Sequence, residues 1–270
     1  MKIQKQIHPG ARQLLICFAG WSASPDLFCG MKMQGDKEKT DLWICYDYRD
    51  LCFPEDIYIP ENVCFPENSE KINSNTYETI HIVAWSLGVW VAEQVAAQQP
   101  EIFRSLIKNA VAINGTGRPI DDLYGIPEAI FEGTLQHLTP EGIQRFVRRI
   151  CGNRTVLREY VQTPPRPLDE ISEELLFLYR EIKRSSAEKT KESTKDKTDQ
   201  PRESQAEGKE KASDPPAALP WTEAIVSSDD RIFPPDNLRR YWRERCPIQE
   251  IEAPHYPFYR WKQWNELWKQ

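Results

Sequence analysis

The sequence predicts an α/β fold: a mostly parallel central sheet, helices on both faces, and a helical lid inserted late in the chain. Three observations carry this. Short apolar runs alternate with helical patterns. One run passes directly into a helix at a single serine, Ser86. After residue 117 the alternation gives way to a long helical stretch before strands resume.

The elements follow in order. Ile3 to Ile7 supplies a candidate edge strand. Leu14–Phe18 is continuously apolar, the mark of a strand buried on both faces. Leu42–Tyr46 and Ile80–Val83 read the same way, and Val89 to Ala97 reads as a helix with largely apolar or small faces. Ala110–Ile113 is the next strand, closed by Asn114-Gly115-Thr116-Gly117. Residues 1–117 therefore form the first part of the core, and 118–183 the lid. Within the lid Ile143, Phe146, Val147 and Ile150 recur at helical spacing. Arg145, Arg148 and Arg149 fall opposite that stripe, and Arg154 and Arg158 follow in the next helical stretch. Residues 184–217 hold no large apolar or aromatic side chain and carry charges of both signs, so they are expected to be disordered. Ala224–Val226 and Ile248–Ile251 complete the core over residues 218–270.

Composition narrows the function. The formal net charge of −6 argues against nucleic acid as the main partner. No stretch is apolar and long enough to cross a membrane, and the first residues lack a signal-peptide core. Cysteines number seven, none in a C-x-x-C pair. Cys17, Cys45, Cys64 and Cys151 lie in or beside apolar runs, so free thiols in a reducing cytoplasm are expected, with no disulfide frame and no metal site.

The chemistry centres on Ala84-Trp85-Ser86-Leu87-Gly88. A strand running straight into a helix leaves room only for a tight turn, which lifts the serine oxygen clear of the sheet. The pattern is G-x-S-x-G with Ala84 in the first glycine position. A nucleophilic serine needs a base and a group that orients the base. Of four histidines only His255 lies downstream at a strand end, whereas His8, His81 and His137 suit structural or solvated roles. The strand Ala224–Val226 leads into Asp229 and Asp230; Asp230 is favoured as the acid because Arg231-Ile232-Phe233-Pro234 follows it, and Asp229 suits a turn. This is the serine, acid, histidine order of the alpha/beta-hydrolase fold. Gly20 lets the backbone come close, so that the Trp21 and Leu87 N–H groups can form an oxyanion hole; Ser22 and Ser24 suit a local turn as well as any catalytic part.

Phe18-Ala19-Gly20-Trp21-Ser22, the Trp85-Ser86-Leu87-Gly88 elbow, Asp230 to Pro234 and His255-Tyr256-Pro257-Phe258 together resemble the BioG family. The elbow and the histidine loop are also similar to BioH. Phe18-Ala19-Gly20 in place of a His-Gly approach and Ala84 in place of Gly fit BioG better. The resemblance implies a monomeric serine esterase that needs no cofactor and demethylates pimeloyl-acyl-carrier-protein methyl ester in biotin synthesis. It further implies that the acyl chain runs past Trp85 and the apolar lid stripe at Phe146. The acidic acyl carrier protein would dock on Arg145, Arg148, Arg149, Arg154 and Arg158. A general carboxylesterase or thioesterase, and a non-catalytic binding protein of the same fold, are the alternatives.

Overall fold

The computed structural model describes residues 1–33, 40–53, 77–98, 105–195 and 219–268. Cys64 and residues 196–217 of the expected disordered segment lie outside them. Seven strands form one sheet: β1 (Lys2–Gln6), β2 (Gln13–Phe18), β3 (Thr40–Tyr46), β4 (Thr79–Trp85), β5 (Ile107–Ile113), β6 (Glu223–Ser227) and β7 (Ile248–Ile251). Their spatial order is β1-β3-β2-β4-β5-β6-β7, and only β1 runs antiparallel to its neighbour. The alpha/beta-hydrolase fold class is thus present, with a single antiparallel edge strand where Ile3 pairs with Cys45.

The central strands read as apolar runs because they are covered. Leu14 to Phe18, Ile82 to Ala84 and Ala110 to Ile113 are fully enclosed. Helix α1 (Leu87–Gln98) packs on β2 and β4. Cys17, Cys45 and Cys151 are buried free thiols, and burial pushes Cys151 up to about 12.

Among the described residues four helices lie between β5 and β6: α2 (Glu128–Leu135), α3 (Pro140–Cys151), α4 (Arg154–Tyr160) and α5 (Leu168–Lys195). Thr139 caps α3 and Asn153 caps α4 through side-chain oxygens that accept first-turn N–H groups. Helix α3 ends at Gly152, whose φ of 66° only glycine adopts freely and whose added Cβ would strike Pro254. The Tyr256 N–H donates to the Ile150 carbonyl at 3.1 Å, so the lid helix and the loop carrying His255 are one packed unit.

Helix α5 corrects one expectation. It continues to Lys195, so the first part of the segment expected to be disordered from Arg184 is helical. Ile171, Leu175, Leu178 and Ile182 anchor one face of α5 in the core. Once nucleated there, the helix extends through Lys, Glu, Ser and Thr residues whose helix penalties are small and which give no apolar signal. The root of α5 is held by charge: Arg166 lies 2.7 Å from Glu174 and 3.1 Å from Asp47. Burial would raise the Asp47 carboxyl, but hydrogen bonds from Arg49 and Lys2 and the charge of Arg166 hold it at about 2. Helix α6 (Pro235–Trp242) packs on β6.

Candidate active site

Ser86 sits between β4 and α1 at φ 60°, a left-handed conformation that a non-glycine residue holds only under constraint. The constraint is visible on both sides. A Cβ on Gly88 would strike the Phe18 and Ala19 carbonyls, and one on Gly115 would strike the Ser86 carbonyl. The elbow is therefore pressed between the ends of β2 and β5, and the Ser86 N–H is held by the Ile113 carbonyl at 2.9 Å. The same positive φ recurs at Ser22 (66°), Asp47 (54°) and Asn114 (48°), each beyond the end of β2, β3 or β5.

The structure brings Ser86, His255 and Asp230 together. His255 Nε2 lies 2.9 Å from Ser86 Oγ, and His255 Nδ1 lies 2.7 Å from Asp230 Oδ2. All three residues are buried. The other Asp230 oxygen accepts the Ile232 and Phe233 N–H groups at 2.7 and 2.9 Å, which fixes the carboxylate plane toward the imidazole. Asp229 is exposed and turns away, its N–H paired with the Ala253 carbonyl. The arrangement lets an imidazole take the serine proton while the carboxylate holds its tautomer.

The Gly20–Trp21 backbone lies beside this serine: a Cβ on Gly20 would come within 3.1 Å of the Ser86 Cβ. Leu87 opens α1, where first-turn N–H groups have no intrahelical acceptor. Trp21, Leu87 and Ser86 line one small pocket. Tyr48 braces the loop, its hydroxyl donating to the Ala19 carbonyl at 2.9 Å, and the Trp21 indole donates to the Ile171 carbonyl on α5 at 2.7 Å. Ser24 caps the short turn Pro25–Phe28, and Ser22 is the left-handed residue before it.

Two lid expectations need correction. Trp85 does not face the pocket. It is 1 % exposed, packs edge-on against Tyr256 and Phe258, and donates its indole N–H to the His255 carbonyl at 2.8 Å. A ring enclosed by these aromatics and by the Gly20 backbone leaves no face for a substrate chain. The arginines do not share one outward face either. Arg149 lines the Ser86 pocket with Phe146 and donates to the Arg231 carbonyl at 2.8 Å. Arg145 lines the cleft between α2 and α3, whereas Arg148 lines a cavity on the other flank of α3. Helix α3 is bordered by cavities on two flanks, so a wheel that separates apolar from charged residues does not separate inside from outside. Arg145, Arg148, Arg154 and Arg158 are exposed. Phe146 does meet the pocket, its ring 4.6 Å from Trp21.

Asn114 is a site residue that the sequence reading passed over as a turn. Its amide donates to Ser227 Oγ and to the His255 carbonyl at 2.8 and 3.0 Å and accepts the Ser227 N–H. It therefore joins the acid loop to the histidine loop; an Asn after a strand and before Gly115 was the one available signal. The remaining histidines are placed elsewhere. His81 stacks on Trp268 and pairs with Asn109, and burial lowers it to about 4. His137 Nδ1 pairs with the Gly133 carbonyl, and the His8 N–H donates to Asp41. Among the described residues no cluster of three or more metal-ligating side chains occurs, and no helix is long and apolar enough to cross a membrane.

The chain matches the family described as pimeloyl-ACP methyl esterase BioG over residues 1–195 and 212–267. It is 38 % identical over 255 residues to an uncharacterized protein of Haemophilus influenzae, covering 94 % of each. It is 34 % identical over 250 residues to a malonyl-[acyl-carrier protein] O-methyltransferase of Bacteroides fragilis, covering 92 % of this chain and only 40 % of that protein. The crystal structure of BioG from H. influenzae superposes with a TM-score of 0.73 at 36 % identity over the whole of both chains. An esterase from Exiguobacterium antarcticum, 10 % identical over 95 % of this chain and 88 % of its own, gives 0.57 and shares the fold.

Proposed function

The chain belongs to the BioG family of pimeloyl-ACP methyl esterases, and on that premise we propose that it hydrolyses the methyl ester of a pimeloyl chain held on acyl carrier protein, with Ser86 as nucleophile. The observation that carries the mechanism is the continuous relay from Ser86 Oγ through His255 to Asp230, at 2.9 and 2.7 Å. Ser86 attacks the ester carbonyl as His255 takes its proton, and the Trp21 and Leu87 N–H groups receive the oxyanion. The imidazolium then protonates the leaving methanol, and water repeats the sequence on the acyl-enzyme. The exposed Arg145, Arg148, Arg154 and Arg158 supply a cationic rim for an acidic carrier, an arrangement that raises encounter rate and sets register.

A carrier-bound substrate is favoured over a small free ester by that rim, which a general esterase does not need. The Bacteroides relative, named as a methyltransferase on a malonyl-carrier, is consistent with a methyl ester on a carrier-bound diacid as the group removed. The test is methanol release from pimeloyl-carrier methyl ester by the parent and by Ser86→Ala. Loss of one member of such a relay costs several orders of magnitude in rate. A folded Ser86→Ala protein that turns over like the parent sinks the serine mechanism, and a parent active only on small esters sinks the carrier reading.

A further inference from the structure

The pocket directly over Ser86 has a volume of only about 30 Å³. That is space for one or two water molecules, enough for a methoxy group but not for the acyl chain. Among the described residues, two larger openings flank α3 and offer room for the rest of the substrate. One is the cleft between α2 and α3, of about 380 Å³; the other, bounded by α4 and the start of α5, is about 530 Å³. Size favours the second, but continuity and chemistry favour the first. The α2–α3 cleft shares Ile130, Thr134, Phe146 and Arg149 with the Ser86 pocket, and the larger cavity shares none of its lining with it. The tilted pair Trp21–Phe146 lines the serine pocket and takes no part in the larger cavity.

Resting on the hydrolysis proposed above, we propose that the α2–α3 cleft is the binding groove for the linear arm of the substrate, and that Gly133 keeps it open. The lining mixes Ile143 and Phe146 with Thr134, His137, Arg145 and Arg149, which suits a chain alternating methylenes with carbonyl and amide groups. The cationic pair Arg145 and Arg149, one helical turn apart, leads from the exposed rim inward to the serine. Gly133 adds an independent observation. It sits inside α2, where glycine is a poorer helix residue than alanine, yet an added Cβ would meet nothing within 4 Å. Packing therefore does not require the glycine, in contrast to Gly142 across the cleft, whose Cβ would strike the His137 carbonyl. What the missing side chain leaves free is the groove itself.

The test uses the full chain with Gly133→Phe, Gly133→Ala and, in the other cavity, Leu157→Trp. Substrates are pimeloyl-carrier methyl ester, dimethyl pimelate and methyl butyrate. Gly133→Phe is expected to raise KM for the two long substrates at least ten-fold and to change methyl butyrate turnover less than two-fold. Gly133→Ala is expected to melt higher than the parent and to raise KM for the two long substrates by less than Gly133→Phe does. Leu157→Trp is expected to act like the parent. Loss of the long substrates in Leu157→Trp instead of Gly133→Phe assigns the arm to the larger cavity and overturns the proposal, as does parental behaviour of both. A parent that prefers dimethyl pimelate to methyl butyrate but ignores the carrier ester refutes the carrier reading alone. Loss of that preference in Gly133→Phe would still locate the groove.

Discussion

The indole of Trp85 donates to the carbonyl oxygen of His255 at 2.8 Å, so the residue before Ser86 holds the backbone of the histidine that Ser86 faces. Asn114 donates to the same oxygen at 3.0 Å from the end of β5. Two donors, one at the end of β4 and one just past β5, thus converge on one acceptor in the loop that carries His255.

Trp85→Phe removes the N–H together with the five-membered part of a buried indole, leaving a small cavity. We expect kcat to fall by roughly ten-fold with KM unchanged, and stability to fall by about 2–4 kcal/mol, one hydrogen bond plus the lost packing. Steady-state kinetics beside thermal melts check it. A loss of stability with unaltered kcat would make the contact structural only.

Asp230→Asn should lower kcat by about 10⁴-fold, because an amide favours the wrong imidazole tautomer while still accepting the Ile232 and Phe233 N–H groups. Asp229→Asn should stay within a few-fold, since Asp229 is exposed and makes its contact through its backbone N–H. Comparable losses in both would show that the choice between the two carboxylates is wrong.

Arg148→Glu combined with Arg158→Glu reverses two exposed charges outside the α2–α3 cleft. Activity on the carrier ester should fall about ten-fold through slower encounter, and methyl butyrate should be hydrolysed as before. Raising the salt should slow the parent only on the carrier ester. Equal effects on both substrates would give these arginines a role in the pocket.

Removing residues 196–211, which fall between the two segments matched to the family, and closing the gap with a short Gly/Ser linker should leave kcat/KM within a few-fold. Loop length changes closure entropy only slowly. A folded but inactive deletion would assign the segment to substrate or partner capture.

His81 gives stability a pH dependence. Its folded value of about 4 lies below the ordinary 6.5, because burial disfavours the imidazolium. Its contribution is therefore complete above pH 6.5 and is lost as pH falls toward 4, for a total of roughly 3 kcal/mol. Urea melts at pH 7 and pH 4.5 should show the parent losing more stability than His81→Gln, which keeps a polar partner for Asn109 and does not titrate. Identical slopes would remove His81 from the account.

The strands were legible because a strand covered on both faces must be apolar throughout, as Leu14–Phe18 and Ala110–Ile113 are. Asp230 was legible because the residues after it include two buried apolar anchors, Ile232 and Phe233, whose N–H groups meet its carboxylate. Asn114, Trp85 and Arg149 were not. Their roles depend on which loop lies opposite, information held in the packing of β5, β6 and the lid and in no local pattern. The far end of α5 escaped for a different reason: helix propagation needs no apolar residue once Ile171 to Ile182 are anchored.

The left-handed residues Ser22, Asp47, Ser86 and Asn114 follow four neighbouring strands, so the rim of the sheet stores backbone strain of about 1–3 kcal/mol at each position. For directed evolution this makes the rim a place where heat resistance and turnover pull apart. Glycine at Asp47 relaxes the backbone but discards the anchor of Arg166, and glycine at Ser86 or Asn114 discards the proposed nucleophile or the clamp on His255. A library screened for melting temperature alone will reject glycine at Asp47 and Asn114, whose buried bonds hold the fold, yet admit it at Ser86, so an engineer seeking a durable enzyme should hold these positions constant and search the lid helices instead.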